Sequence, residues 1–189
     1  MTDFRELLLT RRSIRDYQDR EVPIETIREI IKDCTLAPSS SNEQPWRYII
    51  IRDRSLMKRL SDESKKNLLA EIEKNPGHRA ARYKGVLALE QFNVFYNAPA
   101  LVILVGPKNT ISLQVDLALA AAYFMFAAAD RGLGTCWIAL GSNLRDPALN
   151  QEVGLPEDYA IVAPIVLGYP KLIPTPSPRN QDIIIKEIG

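Results

Sequence analysis

The sequence predicts an α+β fold built as one domain over residues 1–189. Segments with helical spacing of apolar residues and short apolar segments typical of strands are mixed along the chain. They lack the strict alternation of a doubly wound sheet. The length gives room for one substantial core, and no internal repeat or low-complexity segment divides it.

Helices in the first half are predicted by apolar residues at helical spacing and by their start and stop signals. Asp3 can cap the first helix, and Pro23 suits the first turn of the second. That second helix should end near Ala37, because Pro38 disfavours helical geometry in the residue before it. The predicted helices of this half cover residues 4–10, 23–37, 53–60 and 64–74, with a mobile helical segment at residues 79–97 and a strand at residues 46–51.

The second half contains a helix of unusual composition at residues 114–130. No charged residue occurs between Leu117 and Ala129, and alanine, which dominates this stretch, has the highest helix propensity. A helix that is apolar on every side must be buried on every side, which a single small domain rarely achieves. A subunit interface is the simplest way to cover it. Gly132 should end the helix.

Strands and an extended tail complete the second half. Strands are predicted at residues 100–105, 135–140 and 160–167, with a short helix from Asp146 to near Gly154. Three prolines in residues 171–178 predict that residues 170–189 form an extended arm. Residues 182–186 have strand character, so the arm could add to the sheet edge of a partner.

Composition and charge exclude several function classes. The chain carries 24 basic and 23 acidic side chains, so no nucleic-acid partner is expected. There is no uninterrupted apolar run of about 18 residues and no signal peptide, which predicts a cytoplasmic protein without a membrane span. Cys34 and Cys136 are expected to be buried free thiols. The single histidine, His78, lies in a predicted exposed turn, so neither a hydrolase triad nor a metal site is expected.

A cluster of arginines follows the first helix in the pattern Arg-Arg-Ser-x-Arg. A guanidinium group offers a planar fork of donors and keeps its charge, so it suits a phosphate. In an extended turn, Arg11, Ser13 and Arg15 could converge on one anion. The alternative is a solvated basic helix end, where positive charge interacts favourably with the helix dipole.

A polar loop follows the second helix in the pattern Pro-Ser-Ser-Ser-Asn-Glu-Gln-Pro-Trp. Its serine hydroxyls and the side-chain amides of Asn42 and Gln44 both donate and accept hydrogen bonds. Such a loop can match a ligand with hydroxyl groups and ring heteroatoms. The same residue types are also usual in a simple turn between a helix and a strand.

Together, these two segments resemble the opening of the nitroreductase-like FMN enzyme family. Two further landmarks follow in the same order. One is the stretch from Gly132 to Ile138 after the apolar helix. The other is the stretch from Leu167 to Pro170, followed by a proline-rich segment that leads to Arg179. The four segments span nearly the whole chain in register.

The resemblance implies a central, mostly antiparallel sheet flanked by helices. It also implies an intertwined homodimer in which the C-terminal arm reaches the partner and two FMN molecules lie at the interface. The residues implied to hold the phosphate, ribityl chain and pyrimidine edge are Arg11, Arg12, Ser13 and Arg15, with Arg179 returning to the phosphate. Those implied to come from the other subunit are Pro38, Ser39, Ser40 and Asn42, with Gln44 nearby. Those implied to pass the flavin ring with exposed backbone groups are Trp137, Ile138, Ala139 and Leu140.

The implied function is that of an FMN-dependent oxidoreductase. It would take electrons from NADH or NADPH and reduce small organic acceptors, such as nitroaromatics or quinones, by ping-pong hydride transfer through flavin N5. Arg15 is expected to stabilise the anionic reduced ring near N1 and O2. A backbone N–H of Ala139 or its neighbour is expected near N5. Residues 60–97 are expected to form a lid and the substrate pocket.

Alternatives remain open at this stage. Some members of the family carry glutamate and glycine beside N5, where this chain has Ala139 and Leu140. Enzymes of the same fold cleave flavin or remove halogen from aromatic substrates. Two alternatives come from other functional classes. One is a non-catalytic module that stores flavin, and the other is an interaction protein with a basic surface that binds no flavin.

Overall fold

The computed structural model of the chain describes residues 3–180 and 184–189. Its centre is a four-stranded sheet in the order β1-β2-β4-β3, in which every neighbouring pair is antiparallel. The strands are β1 (Arg47–Ile51), β2 (Ala100–Pro107), β3 (Gly134–Trp137) and β4 (Tyr159–Gly168). Helices pack on both faces, which confirms the predicted α+β class with an antiparallel sheet flanked by helices.

Three of the α-helices begin at an aspartate that caps the first turn. The side chains of Asp3, Asp53 and Asp146 each accept a backbone N–H of the helix that follows. These bonds satisfy donors that would otherwise lack a partner. The α-helices in the described residues are α1 (Phe4–Thr10), α2 (Ile24–Cys34), α3 (Arg54–Lys74), α4 (Lys84–Leu87), α5 (Leu113–Asp130) and α6 (Pro147–Glu152).

β2 separates two hydrophobic cores, because successive side chains of a strand point to opposite faces of the sheet. Leu101 and Ile103 pack on the face that carries α3. Val102 and Leu104 pack on the face that carries α2 and α5. The continuous apolar run at residues 100–105 therefore forms a strand buried on both faces, as the sequence predicts.

α5 is covered on only one side within a single chain. Leu117 and Phe124 are buried against the sheet. On the opposite side, Val115, Leu119 and Tyr123 are 64%, 38% and 42% exposed. Since these three residues are spaced four apart, they form one stripe along the helix. The single chain therefore leaves uncovered an apolar surface of the kind that the sequence assigns to a subunit interface.

By length and composition alone, α5 is apolar enough to cross a membrane. The buried core helices of soluble proteins share this property. α5 packs on the sheet through one of its sides and carries the buried carboxylate of Asp116. Its apolar composition is therefore shared between the side buried on the sheet and the exposed stripe.

α1 extends the exposed stripe of α5. The ring of Phe4 lies 5.7 Å from the ring of Phe126 on α5. A contiguous exposed apolar patch is typical of a surface that another protein covers. We call the combined surface the apolar face, and its exposed residues are Phe4, Leu8, Leu9, Val115, Leu119 and Tyr123.

Several element boundaries differ from the sequence prediction. α2 ends at Cys34, three residues before its predicted end, because the Thr35 N–H and hydroxyl both donate to the Lys32 carbonyl and the chain turns. α3 is one continuous helix, whereas the sequence predicts two. Residues 61–63 contain neither glycine nor proline, and the inward-facing Ser61 hydroxyl accepts the Val94 N–H at 2.9 Å. β3 ends at Trp137, three residues before its predicted end, because the chain turns into a 3₁₀ helix at Ala139–Ser142.

The segment predicted to be a mobile helix consists mostly of turns. Only the 3₁₀ helix Ala81–Tyr83 and the short α4 are helical there. Lys65 on α3 is only 7% exposed, and its ammonium group donates to the carbonyls of Leu89, Glu90 and Phe92 at 2.7, 3.3 and 2.9 Å. A tertiary contact therefore replaces the helical hydrogen bonds. The mobility of the segment stays a prediction.

The extended conformation predicted for the C-terminal arm stays a prediction. Residues 171–180 and 184–189 contain no regular secondary structure. Of the strand predicted at residues 182–186, the first two residues lie outside the described part of the chain, and the other three form no strand within the single chain. The contact of this arm with a partner stays a prediction.

Candidate active site

The basic segment after α1 runs extended beside β3. Ser13 forms a bridge with Thr135, and the Ile14 N–H donates to the Thr135 carbonyl at 2.9 Å. Alternate side chains of an extended segment point to the same side. Arg11, Ser13 and Arg15 therefore project in one direction.

These three side chains meet around the thiol of Cys136 on β3. Burial raises the pKa of Cys136, while Arg15, the Ser13 hydroxyl and the Arg11 guanidinium favour the thiolate and act against this shift. The thiol is buried and free, as is that of Cys34, which confirms the prediction for both cysteines. Cys136 therefore marks the point where the basic side chains converge.

Arg179 approaches this group from the other end of the chain. Burial lowers the pKa of Arg11, and the neighbouring positive charges of Arg12 and Arg179 lower it further. Arg11 forms no ion pair with any residue that the structure describes, although its guanidinium lies 5.8 Å from the centre of the Phe126 ring. Positive charge is thus concentrated at a half-buried position, without an ion-paired carboxylate among the described residues.

Arg12 belongs to a different environment. Its guanidinium turns back to the end of α1 and donates to the carbonyls of Arg11 and Leu9 at 2.6 and 2.5 Å. These carbonyls lie at the C-terminal end of the helix, where a positive charge is favourable. The structure therefore brings Arg11, Ser13 and Arg15 to Cys136, with Arg179 within electrostatic range of Arg11, and it places Arg12 as a helix cap.

The polar loop contains a 3₁₀ turn at Ser40–Asn42 and is held by hydrogen bonds of its own. The Gln44 N–H donates to the Ser39 hydroxyl at 3.0 Å, and the Gln44 side chain donates to Asn42 Oδ1 at 3.0 Å. Ser41, Asn42 and Gln44 have φ values of 50°, 56° and 48°. Non-glycine residues are uncommon in this conformation, which occurs often at ligand-binding sites.

A single chain does not bring the polar loop to the arginine cluster. The Ser40 N–H donates to the Asp116 carboxylate at 3.0 Å, which places the loop at the start of α5. Arg11 lines a small pocket together with Ala129 at the end of the same helix. Since an α-helix rises about 1.5 Å per residue, these two points lie roughly 20 Å apart.

A cleft of about 820 Å³ opens beside the arginine cluster. Its inner wall contains Arg15, Cys136 and the predicted residues Trp137, Ile138, Ala139 and Leu140. Its outer wall contains His78, Arg79, Arg82, Tyr83, Phe92 and Tyr96. The volume lies within the roughly 300–1,000 Å³ of small-molecule sites, and the combination of apolar surface with a few charged groups is typical of them.

The turn after β3 is fixed by contacts on every side. The Ile138 N–H donates to the Pro164 carbonyl at 2.8 Å, and Ser64 donates to the Leu140 carbonyl at 2.5 Å. Phe95 lies against Gly141, where its ring would come within 2.4 Å of any added Cβ. The turn is therefore rigid, and the N–H of Ile138 is already used within the protein.

Several cleft residues belong to the segment 60–97 predicted to form the substrate pocket, but the sequence singles out none of them for this role. Arg15 lies over the ring of Tyr96 at 5.9 Å, and Tyr96 has a φ of 54°. His78 lies in a turn, as predicted, but its side chain lines the cleft and its Nε2 lies 3.7 Å from Glu71. The sequence signals a turn at this position. The direction of the side chain depends on the long-range packing of α3.

The described residues contain no group of three histidine, cysteine, aspartate or glutamate side chains that could hold a metal ion. The candidate site is therefore defined by arginines, hydroxyls, aromatic rings and backbone groups.

Comparison with known proteins identifies the family. The model of the Nitroreductase family matches residues 8–169 of the chain. The chain belongs to the nitroreductase family. The matched region includes the basic segment, the polar loop and the turn after β3, and it ends before Arg179.

Individual nitroreductases support this assignment. A protein of Archaeoglobus fulgidus, provisionally named an NADH dehydrogenase/NAD(P)H nitroreductase, is 29% identical and aligns with 90% of this chain and 87% of its own. A nitrobenzene nitroreductase of Ectopseudomonas oleovorans is 28% identical, and the alignment covers 96% of this chain and 91% of that protein. The crystal structure of a Bacteroides fragilis nitroreductase with bound FMN superimposes with a TM-score of 0.83 at 22% identity, covering 99% of this chain and all of that one.

Proposed function

We propose that the chain is an FMN-dependent oxidoreductase that takes electrons from NADH or NADPH and reduces small organic acceptors such as nitroaromatics or quinones. The observation that carries the proposal is the meeting of Arg11, Ser13 and Arg15, with Arg179 beside Arg11, at the edge of an aromatic cleft. The names of relatives that reduce nitrobenzene or use NAD(P)H agree with it.

The residues present fit the phosphate of FMN. Arg11 and Arg179 bring two positive charges together without an ion pair to any described carboxylate, and a phosphate dianion would balance them. Beside Arg11, the buried hydroxyl of Thr135 has no hydrogen-bond partner among the described residues. Such a hydroxyl is a donor available to a bound ligand. Arg15 lies deeper, in the cleft that would hold the ring.

A second copy of the chain would complete the site. If the apolar faces of two chains pack with their α5 helices antiparallel, the start of one α5 lies beside the end of the other. The partner subunit's Ser40 and the partner subunit's Asn42 would then approach Arg11. Within one chain, most of the length of α5 separates Arg11 from the polar loop. Pro38, Ser39 and Gln44 would approach with them, since they belong to the same loop.

Bound FMN would supply the two-electron chemistry, accepting hydride from the nicotinamide and delivering it to the acceptor. For a nitro compound, the balanced reaction is R–NO₂ + NAD(P)H + H⁺ → R–NO + NAD(P)⁺ + H₂O. The fixed charge of Arg15 favours negative charge on the ring edge next to it. Ala139 and Leu140 line the cleft. Because the Ile138 N–H already donates to the Pro164 carbonyl, the backbone N–H groups of Ala139 and Leu140 are the ones that would contact the ring.

The visible spectrum of the purified protein tests the proposal. We expect flavin absorbance at roughly 450 nm that bleaches on anaerobic addition of NADH or NADPH and returns when nitrobenzene is added. A yellow protein that fails to bleach would be a storage module. A protein that stays colourless after incubation with FMN would contradict the cofactor assignment.

Dehalogenation is a second candidate, because iodotyrosine deiodinases are among the relatives. The enzyme from Thermotoga neapolitana is 24% identical, with 95% of both chains covered. The balanced reaction would be R–I + NAD(P)H → R–H + NAD(P)⁺ + I⁻. Release of iodide from 3-iodotyrosine in place of nitro reduction would favour this candidate.

A further inference from the structure

The outer wall of the cleft is built on a series of tight turns that we call the arginine turn (residues 78–83). The Ala81 N–H donates to the His78 carbonyl at 2.8 Å, and the Tyr83 N–H donates to the Ala80 carbonyl at 2.9 Å. These bonds repeat every three residues, and in such a helix residues i and i+3 lie on the same side. Arg79 and Arg82 are three residues apart, and both line the cleft.

The charges of the cleft do not balance within the protein. Glu71 is the carboxylate on the wall, and it is already hydrogen-bonded by Arg145 and Asn143. Arg82 stacks on Tyr83, with its guanidinium 4.8 Å from the ring centre. Neither Arg79 nor Arg82 forms a hydrogen bond or an ion pair with any residue in the described ranges. Two positive charges therefore remain available to a ligand.

Aromatic rings adjoin these charges within the same cleft. Tyr83, Phe92 and Tyr96 line it on the side of the arginine turn, and Phe92 and Tyr96 pack edge to face at 6.0 Å. Rings offer flat apolar surfaces on which a ligand ring can stack. Two arginine side chains close together can donate hydrogen bonds to the two oxygens of one carboxylate.

We propose that the cleft selects acceptors that carry a carboxylate on an aromatic ring, and that Arg79 and Arg82 are its specificity-determining residues. This inference rests on the proposed function, since it names the substrate class of the same site. The ring lies against the aromatic wall, and the carboxylate binds the two guanidinium groups. The phosphates of NAD(P)H offer a second source of negative charge, and the experiment separates the two.

The experiment uses the dimeric, FMN-loaded enzyme and two acceptors of similar shape, 4-nitrobenzoate and 4-nitrobenzamide. The wild type should reduce the anion with the higher kcat/KM. Arg79→Gln combined with Arg82→Gln should lower kcat/KM for 4-nitrobenzoate on the order of tenfold or more, and for 4-nitrobenzamide less than about threefold. Flavin content measured by absorbance reports whether the variant is folded and loaded.

A matched control removes two charges from the same region without touching the cleft. Lys74 and Lys84 flank the arginine turn, are exposed, and do not line the cleft. The combination Lys74→Gln and Lys84→Gln changes the net charge by the same amount. It should leave the preference for the anion unchanged, because the effect of the arginines is a direct contact and not long-range attraction.

Each other outcome has a distinct meaning. An equal loss with both acceptors would overturn the carboxylate assignment and leave the proposed function intact. The double arginine variant could instead bind NADH more weakly in the anaerobic reductive half-reaction and keep its acceptor preference. This result would assign the arginines to the phosphates of the donor and would also overturn the carboxylate assignment. A wild type that bleaches with NADH but reduces neither acceptor would contradict the proposed function itself.

Discussion

Arg11, Arg12 and Arg179 have different roles in the structure. Arg11 and Arg179 lie within electrostatic range of each other and form no ion pair with any described carboxylate, whereas Arg12 donates to helix carbonyls. We predict that Arg11→Ala combined with Arg179→Ala releases FMN. Each charge-assisted hydrogen bond contributes about 1.5–3 kcal/mol, so the dissociation constant should rise on the order of a hundredfold or more. Quenching of flavin fluorescence on titration measures this constant.

Arg12→Ala serves as the control for this prediction. It removes a charge next to Arg11 but takes away bonds to the end of α1. We expect it to lower the free energy of unfolding by about 1–2 kcal/mol with little change in FMN affinity. If the double variant binds FMN as tightly as the wild type, the phosphate site lies elsewhere.

At the scale of secondary-structure elements, α3 holds the outer wall of the cleft through Lys65. Lys65→Met should leave the carbonyls of Leu89, Glu90 and Phe92 without their donor. We expect a loss of about 2–4 kcal/mol in the free energy of unfolding, together with faster amide exchange in residues 84–96. Urea unfolding and hydrogen exchange measure the two effects.

The neighbouring lysine provides the matched control. Lys66 is exposed, and its ammonium group lies 3.8 Å from the carboxylate of Glu63, which is largely buried and also accepts from Asn67. Lys66→Met should change stability by no more than about 0.5 kcal/mol, since the solvated ammonium group makes no hydrogen bond with Glu63 at this distance. Equal effects of the two substitutions would show that the bonds from Lys65 do not hold the wall.

The same elements show what could be predicted from the sequence. The cap at Asp3, the buried β2 and the long α5 follow from local patterns, because caps and periodicity are properties of neighbouring residues. The turns at residues 79–97 do not, since Lys65 stabilises them from another helix. The aromatic and basic wall of the cleft depends on that contact. The resemblance places the substrate pocket in residues 60–97, but the individual wall residues have no signal in the sequence.

For the whole molecule, the position of the polar loop is informative. The motifs that resemble a flavin site lie about 25 residues apart in sequence but at opposite ends of α5 in the fold. The proposed site therefore needs the polar loop of a second chain, because roughly 20 Å separates the two motifs within one chain. Leu119→Arg, placed at the centre of the apolar face, should therefore convert a dimer into a monomer and also release FMN, although it lies on neither motif. Light scattering and absorbance measure the two effects.

Leu89→Arg provides a control for size and charge. Leu89 is exposed to a similar extent, follows the end of α4 and does not belong to the apolar face. It should remain a dimer with full flavin content. A Leu119→Arg monomer that still binds FMN tightly would show that one chain suffices for the site.

Mixed dimers test the shared site most directly. One variant carries Arg11→Ala and Arg179→Ala, and the other carries Ser39→Ala and Asn42→Ala in the polar loop. Each homodimer should bind FMN weakly, because both of its sites lack one half.

In a mixed dimer, one site combines both defects, and the other combines an intact arginine cluster with an intact loop. After unfolding and refolding together at equal concentration, half the dimers should be mixed, so roughly a quarter of all sites should bind FMN with wild-type affinity. Recovery of no tight sites, with mixed dimers verified by mass spectrometry, would mean that both motifs act within one chain. Tight FMN binding by the homodimer of the loop variant would mean that the loop does not contact the flavin.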